Sequence, residues 1–270
     1  MSFDTGRSGA ALTAAKAEGR AALIGFMHVG YPDVPTSLEA LRAMARVCDI
    51  VEIGLPYSDP VMDGPVIQRT GTAALARGVR TKDALAAAEA VSGAGGRAVV
   101  MTYWNLVERY GVDRFARDFA NAGGCGLITP DLTPDEAGEW LAASDAHGLD
   151  RIFLVAPSST EERIAKTVDA CRGWVYATAV MGVTGARTES SKLAPELVRR
   201  IRALRPDVPI GIGLGVSNGA QAREIAQFAD GVIVGSALVR TMIAAEDAGT
   251  PADLTELQQV LDDLAAGVRG

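Results

Sequence analysis

Short, continuously apolar runs recur along this chain and are interleaved with longer stretches of helical periodicity. The runs fall at 22–27, 50–53, 98–102, 126–128, 151–155, 175–179, 210–212 and 231–234. A strand that is apolar at every position, rather than at alternate ones, is covered on both faces. That is the condition of a parallel sheet with helices packed against it. Helical patterns lie between the runs, among them 37–47, 81–91, 112–122, 160–171 and 194–204. Their starts carry caps: Thr36 or Ser37 precedes the first, and Thr160-Glu161-Glu162 places acids near a helix's positive end. Eight strands favour a closed barrel over an open doubly wound sheet, which more often stops near about six and opens on a Gly-rich turn. Here the first strand runs into Met27-His28-Val29-Gly30-Tyr31-Pro32, with no dinucleotide fingerprint. The expected fold is α/β, a (β/α)8 barrel with an extra N-terminal helix near 11–18 and an extra helix, 66–77, after strand two. No repeat, linker or low-complexity tract divides it, so residues 1–270 are expected to form one domain.

Composition narrows the function. Hydrophobic residues make up 48% and charged residues 22%, enough for a full core without disulfides or metals. A net charge of −7 argues against a nucleic-acid footprint, and Arg199, Arg200, Arg202 and Arg205 read as the wet face of one helix. Cys48, Cys125 and Cys171 form no Cys-x-x-Cys pair and read as buried free thiols in a reducing cytoplasm. The polar N-terminus is no signal peptide, and no apolar stretch approaches membrane-spanning length, so a cytoplasmic location is expected. His28 and His147 are far apart and lack a ligand pattern, so no metal site is expected.

The most informative stretch runs from Val51 to Pro65. Glu52 lies inside an apolar strand and points the opposite way from Val51 and Ile53. An unsatisfied carboxylate in a close-packed barrel costs several kcal/mol, of the order of ~2–7. Near the carboxyl-terminal end of a barrel strand, where such enzymes work, that burial raises the pKa and fits the group to give and take protons. The following loop is stiffened by prolines and carries Asp59 and Asp63. Asp59-Pro60 reads equally well as turn chemistry, whereas Asp63 is expected to return over the barrel mouth as a second, ionised carboxylate.

Three glycine-rich turns follow the later strands: Gly182-Val183-Thr184-Gly185, Gly213-Leu214-Gly215, and Gly235-Ser236-Ala237 at a helix start. Barrels commonly bind phosphate with the loops after strands seven and eight and a helix N-terminus. No lysine sits in these turns, so backbone amides would carry the anion, with Arg187 more readily a solvated loop residue. The residues alone therefore describe a barrel enzyme for a small phosphorylated substrate.

Glu52-Ile53-Gly54-Leu55-Pro56-Tyr57-Ser58-Asp59-Pro60 with Asp63-Gly64-Pro65 closely resembles the signature of the tryptophan synthase alpha subunit family. The resemblance continues through Tyr103-Trp104-Asn105-Leu106 and the three glycine turns, in order, over nearly the whole chain. It implies a TIM barrel that cleaves indole-3-glycerol phosphate to indole and glyceraldehyde 3-phosphate. Glu52 falls at the family's acid/base glutamate and Asp63 at the aspartate that contacts the indole nitrogen. Phe26, Tyr103, Ile128 and Tyr176 fall in or near the indole pocket, and Gly185, Gly215, Gly235 and Ser236 at the phosphate site. Thr184 matches a loop threonine that contacts the aspartate in a closed state. The resemblance further implies no cofactor or metal in this chain, and an α2β2 complex whose beta subunit holds pyridoxal phosphate and receives indole.

Two residues depart from the family pattern. Pro130 precedes Asp131 where a small residue is common, and His28 stands where threonine is common, more in keeping with packing or hydrogen bonding than with chemistry. Other readings remain open at this stage: a phosphosugar isomerase or epimerase on the same barrel, a freestanding indole-releasing lyase, and a non-catalytic activator of a partner.

Overall fold

A computed structural model describes residues 2–178, 187–213 and 215–270, without the side chains of 187–192. Its strands are β1 (Ala22–His28), β2 (Ile50–Gly54), β3 (Ala98–Met101), β4 (Gly124–Ile128), β5 (Asp150–Ile152), β6 (Leu154–Val155), β7 (Val175–Thr178), β8 (Ile210–Gly213) and β9 (Gly231–Val234). All ladders between them are parallel, in the order β5-β4-β3-β2-β1-β9-β8-β7-β6. The two ends of that order, β5 and β6, are the halves of the run at 151–155, interrupted at Phe153. Phe153 O accepts the Tyr176 N–H at 3.1 Å, so the ring closes through the interruption. The expected barrel is present, with its fifth strand in two pieces.

Among the described residues the helices are α1 (Gly9–Ala17), α2 (Val34–Ala45), α3 (Pro65–Ala76), α4 (Asp83–Gly93), α5 (Trp104–Tyr110), α6 (Val112–Asn121), α7 (Gly138–His147), α8 (Glu161–Ala170), α9 (Arg187–Leu204), α10 (Gly219–Ala226), α11 (Ser236–Asp247) and α12 (Thr255–Arg269). α1 and α3 are the two expected additions. The cap of α2 is Asp33, whose side chain accepts the Thr36 N–H, and neither Thr36 nor Ser37. Pro35 suits that first turn, where its missing N–H would have had no partner. Thr160 caps α8 as expected, accepting from Arg163 N at 3.2 Å. α9 begins earlier than 194 and carries Pro195 inside it. The α9 arginines are not simply solvated: Arg200 donates to Glu161 at 2.5 Å and to the Pro157 carbonyl at 3.0 Å, and Arg202 reaches Asp230.

Packing separates two faces of each strand. A Cβ added at Gly25 would strike Met44, Cys48 and Leu238, so residue 25 faces the helices and Phe26 and His28 face inward. A cluster containing Ile24, Ile50, Val99, Ile152, Trp174 and Ile233 fills the barrel, and Ala11, Leu12 and Ala15 of α1 plug its lower end. The plug is held by a buried polar knot that no local pattern announced. Asp150, fully buried, accepts the Ser8 hydroxyl and backbone N–H at 2.6 Å each and the Arg7 N–H at 3.1 Å. Trp174 Nε1 in turn donates to Ser8 Oγ at 3.2 Å. Burial pushes the Asp150 carboxyl up, against the pull of its Ser8 and Arg7 donors. Removing a partner from such a knot strands the others without water. Asp150→Ala is therefore expected to lower stability by about 2–4 kcal/mol in urea unfolding; a loss under about 1 kcal/mol would show that the knot does not hold the plug.

Candidate active site

The site is built at the carboxyl-terminal end of the barrel from β1, β2, β7, β8 and β9. Glu52 stands opposite Phe26 in the β1–β2 ladder. A Cβ added at Gly54 would lie 2.4 Å from the Phe26 ring and 2.6 Å from His28, so residue 54, and with it Glu52, points inward. Glu52 is 1% exposed and its Oε2 is buried with no hydrogen-bond partner. Burial, with the nearby Asp63 charge adding to it, pushes its carboxyl up to about 8. Asp63 is half-buried, and burial pushes it up to about 6. Two carboxyls with separated ranges thus share one slot, the arrangement that divides proton transfer from charge stabilisation.

A cavity of about 160 Å³ gathers Glu52, Asp63, Phe26 and Tyr176 with Gly215, Gly235 and Ser236. Seven of the residues singled out from sequence therefore line one space, its walls mostly apolar at one end and glycine at the other. Gly215 adopts φ +64, a left-handed conformation that costs glycine little and other residues much. Gly235 precedes α11 without a side-chain cap, leaving the amides at the start of that helix for an anion. Met62, Ile67, Met101, Gly213 and Ile233 line the cavity as well, unannounced by any motif of their own except Gly213. A larger hollow of about 510 Å³ shares Met62 as a wall but contains neither carboxylate. The smaller cavity, which holds both carboxylates, is the candidate site.

Tyr103 and Ile128 are not among the lining residues. Ile128 is fully buried in the barrel's interior cluster. Tyr103 instead holds the loop that carries Asp63: its hydroxyl accepts the backbone N–H groups of Val61 at 3.0 Å and Met62 at 3.1 Å. Its ring stacks on Tyr57 at 4.7 Å. Asp59 is exposed, accepts from Ser58 at 2.6 Å and stays outside the cavity, as a turn residue would. Asp131 receives the Trp104 N–H at 3.0 Å, tying two neighbouring loops together. Thr184 and Gly185 lie outside the described residues, as does Leu214. His28 is buried against Thr70 and away from the cavity lining. The three cysteines are free and buried, and burial pushes the Cys171 thiol up to about 12. Among the described residues no group of His, Cys, Asp and Glu is placed to hold a metal ion, and no helix is long and apolar enough to cross a membrane.

A parallel (β/α)8 barrel with a buried glutamate in its mouth, a second carboxylate beside it and glycine turns in the same lining has the layout of a barrel enzyme. The sequence profile of the family described as tryptophan synthase alpha chain matches residues 12–269. The tryptophan synthase alpha chain of Mycobacterium avium is 62% identical over 264 residues, 97% of this chain and 94% of that one. That of Mycobacterium tuberculosis is 60% identical over 267 residues, 98% and 96% of the two chains. A solved structure of Mycobacterium tuberculosis tryptophan synthase superposes with TM-score 0.90 at 60% identity, covering 99% of this chain and 100% of that chain. The tryptophan synthase subunit alpha of Legionella pneumophila, only 28% identical, still gives 0.87 over 97% and 98% of the two chains. This chain belongs to the tryptophan synthase alpha chain family.

The unpaired Glu52 carboxyl has a consequence for stability. With its native pKa raised to about 8 from 4.5, the folded chain keeps a proton that the unfolded chain releases. The stability associated with that proton is fully present below 4.5 and is lost as pH rises through about 8. Glu52→Gln, which cannot ionise, is expected to be more stable than the wild type by about 1–3 kcal/mol near neutral pH. Paired thermal melts should show the gap widening from pH 5 to 8; a gap independent of pH would mean Glu52 is not held neutral.

Proposed function

We propose that this chain is the α subunit of a tryptophan synthase, cleaving indole-3-glycerol phosphate into indole and glyceraldehyde 3-phosphate with Glu52 and Asp63 as its catalytic pair. The observation that carries the assignment of roles is the buried, unpartnered Glu52 carboxyl opening on an apolar slot beside Asp63. In its protonated form Glu52 delivers a proton to indole C3. The positive charge that gathers on the ring nitrogen is stabilised by ionised Asp63. Glu52, now a carboxylate, takes the proton of the adjacent glycerol hydroxyl as the bond from C3 to the glycerol carbon breaks. Its electrons return to the ring, the aldehyde forms, and the glutamate ends protonated as it began.

Phe26 and Tyr176 flank the indole, and Gly215, Gly235 and Ser236 bind the phosphate, with Thr184 and Gly185 completing that end. Tyr103 and Ile128 serve from outside the slot, the first by positioning the Asp63 loop and the second by packing beneath it. None of these steps calls for a metal or organic cofactor in this chain. The partner is a β subunit in an α2β2 assembly, which supplies pyridoxal phosphate. Val61, 79% exposed, and Met62, 44% exposed, present apolar side chains on the Asp63 loop where such a partner would couple to the site. The chain acts in the cytoplasm as one barrel domain. Family membership over nearly the full length leaves an isomerase, an epimerase or a freestanding lyase unfavoured.

Glu52→Gln and Asp63→Asn are each expected to lower indole release by about 10²–10⁴-fold in the α–β complex while circular dichroism stays native. Normal turnover in either variant would sink the assignment, and a rate that does not rise on adding the β subunit would sink the partnership. Because the reaction needs Glu52 protonated and Asp63 ionised, kcat/KM should fall below about pH 6 and above about pH 8. A profile flat across that range would show that other groups carry the protons.

A further inference from the structure

His28 is a buried titratable group that the chemistry above leaves unused. It ends β1, two residues beyond Phe26 and on the same inward face, with the two rings edge to face at 5.1 Å. Its Nδ1 lies 2.8 Å from Thr70 Oγ1 in the middle of α3. Thr70, fully buried, donates its one hydroxyl proton to Ile67 O at 3.0 Å. The hydroxyl is therefore an acceptor toward the ring, and Nδ1 must carry the proton. Burial holds the ring neutral, lowering its pKa to about 3, so this tautomer persists across the working range. The ring also lies along Gly71, where an added Cβ would come within 3.2 Å of Cε1.

The helix held in this way begins at Pro65, two residues after Asp63. Its Ile67 lines the slot, and its Gln68 Nε2 donates to the Asp63 carbonyl at 2.8 Å. We propose that His28 is a positioning residue for Asp63: through Thr70 it fixes how α3 sits over the barrel mouth, and so where the Asp63 carboxylate meets the ring nitrogen of the substrate. It touches no substrate itself. This rests on the indole-binding role of Asp63 proposed above.

The test compares two phosphate-bearing ligands of one shape, an indole-3-alkyl phosphate and its benzofuran counterpart, which lacks the ring N–H. Calorimetry on the full chain should show the wild type preferring the indole, since only that ring donates to Asp63. His28→Leu and Thr70→Val should each reduce the preference about tenfold with the benzofuran affinity unchanged, and the double variant should lose no more than either alone. His28→Asn, whose amide nitrogen can occupy the place of Nδ1–H, should recover most of the preference. A preference kept in folded His28→Leu or Thr70→Val, or a parallel loss of affinity for both ligands, would overturn the proposal. If His28→Leu does not fold, Thr70→Val and His28→Asn decide it. A wild type without any preference for indole would instead overturn the role of Asp63, and this proposal with it.

Discussion

A carboxylic acid inside a close-packed barrel, with one oxygen buried and unpartnered, is the constraint around which the site is arranged. Glu52 lies in the barrel mouth at 1% exposure, and an ionised group there would be destabilised by several kcal/mol relative to water. The protein meets this by keeping the proton on rather than by supplying a counter-ion. Among the described residues lining the slot there is no arginine, lysine or histidine, and the Asp63 charge raises the Glu52 pKa further. The same burial that makes the position unfavourable for folding keeps the group protonated near neutral pH, as the proposed proton donor must be.

Asp63 has to be held where its charge is useful, and a loop of three prolines does not by itself locate it. The hold comes from both directions along the chain. Before Asp63, the Tyr103 hydroxyl gathers two consecutive backbone amides. After it, α3 is bound to β1 through Thr70 and His28. A carboxylate between two such anchors keeps its geometry although the tip of its loop is exposed, most of all at Val61. Exposed tip and fixed base let one loop present a surface to a partner while its aspartate stays inside the slot.

The barrel and Glu52 were legible in one dimension because both leave local marks. Strands covered on both faces read as unbroken apolar runs, and a lone acid in such a run stands out. Asp150 is as deeply buried, yet it stands at the start of its strand and its partners are at positions 7 and 8, so nothing local announces it. The resemblance puts Tyr103 at the indole pocket, whereas it lies outside the cavity lining, and its separation from Val61 and Met62 in sequence hides what its hydroxyl does. The break at Phe153 and the cap at Asp33 were missed for a simpler reason. Periodicity says which residues are covered, and is silent on where a ladder or a first turn begins.

Glycine shows where a motif can be right for two reasons at once. Trp174, just before β7, and Tyr176 on it are stacked at 5.9 Å, and β8 answers them with Gly211 and Gly213. A Cβ at Gly211 would come within 2.6 Å of Trp174, and one at Gly213 within 2.6 Å of Tyr176. The barrel is thus filled from one strand into space left by the next, as Phe26 and His28 fill space left by Gly54. The glycine run after the seventh barrel strand, attractive as an anion-binding turn, divides accordingly. Gly213 is needed for packing and Gly215 for its left-handed backbone, and only the second requirement belongs to the turn itself. At the proposed phosphate end, glycine on β8 is thus demanded by the aromatic side chains of the neighbouring strand, and glycine in the turn by the backbone conformation alone.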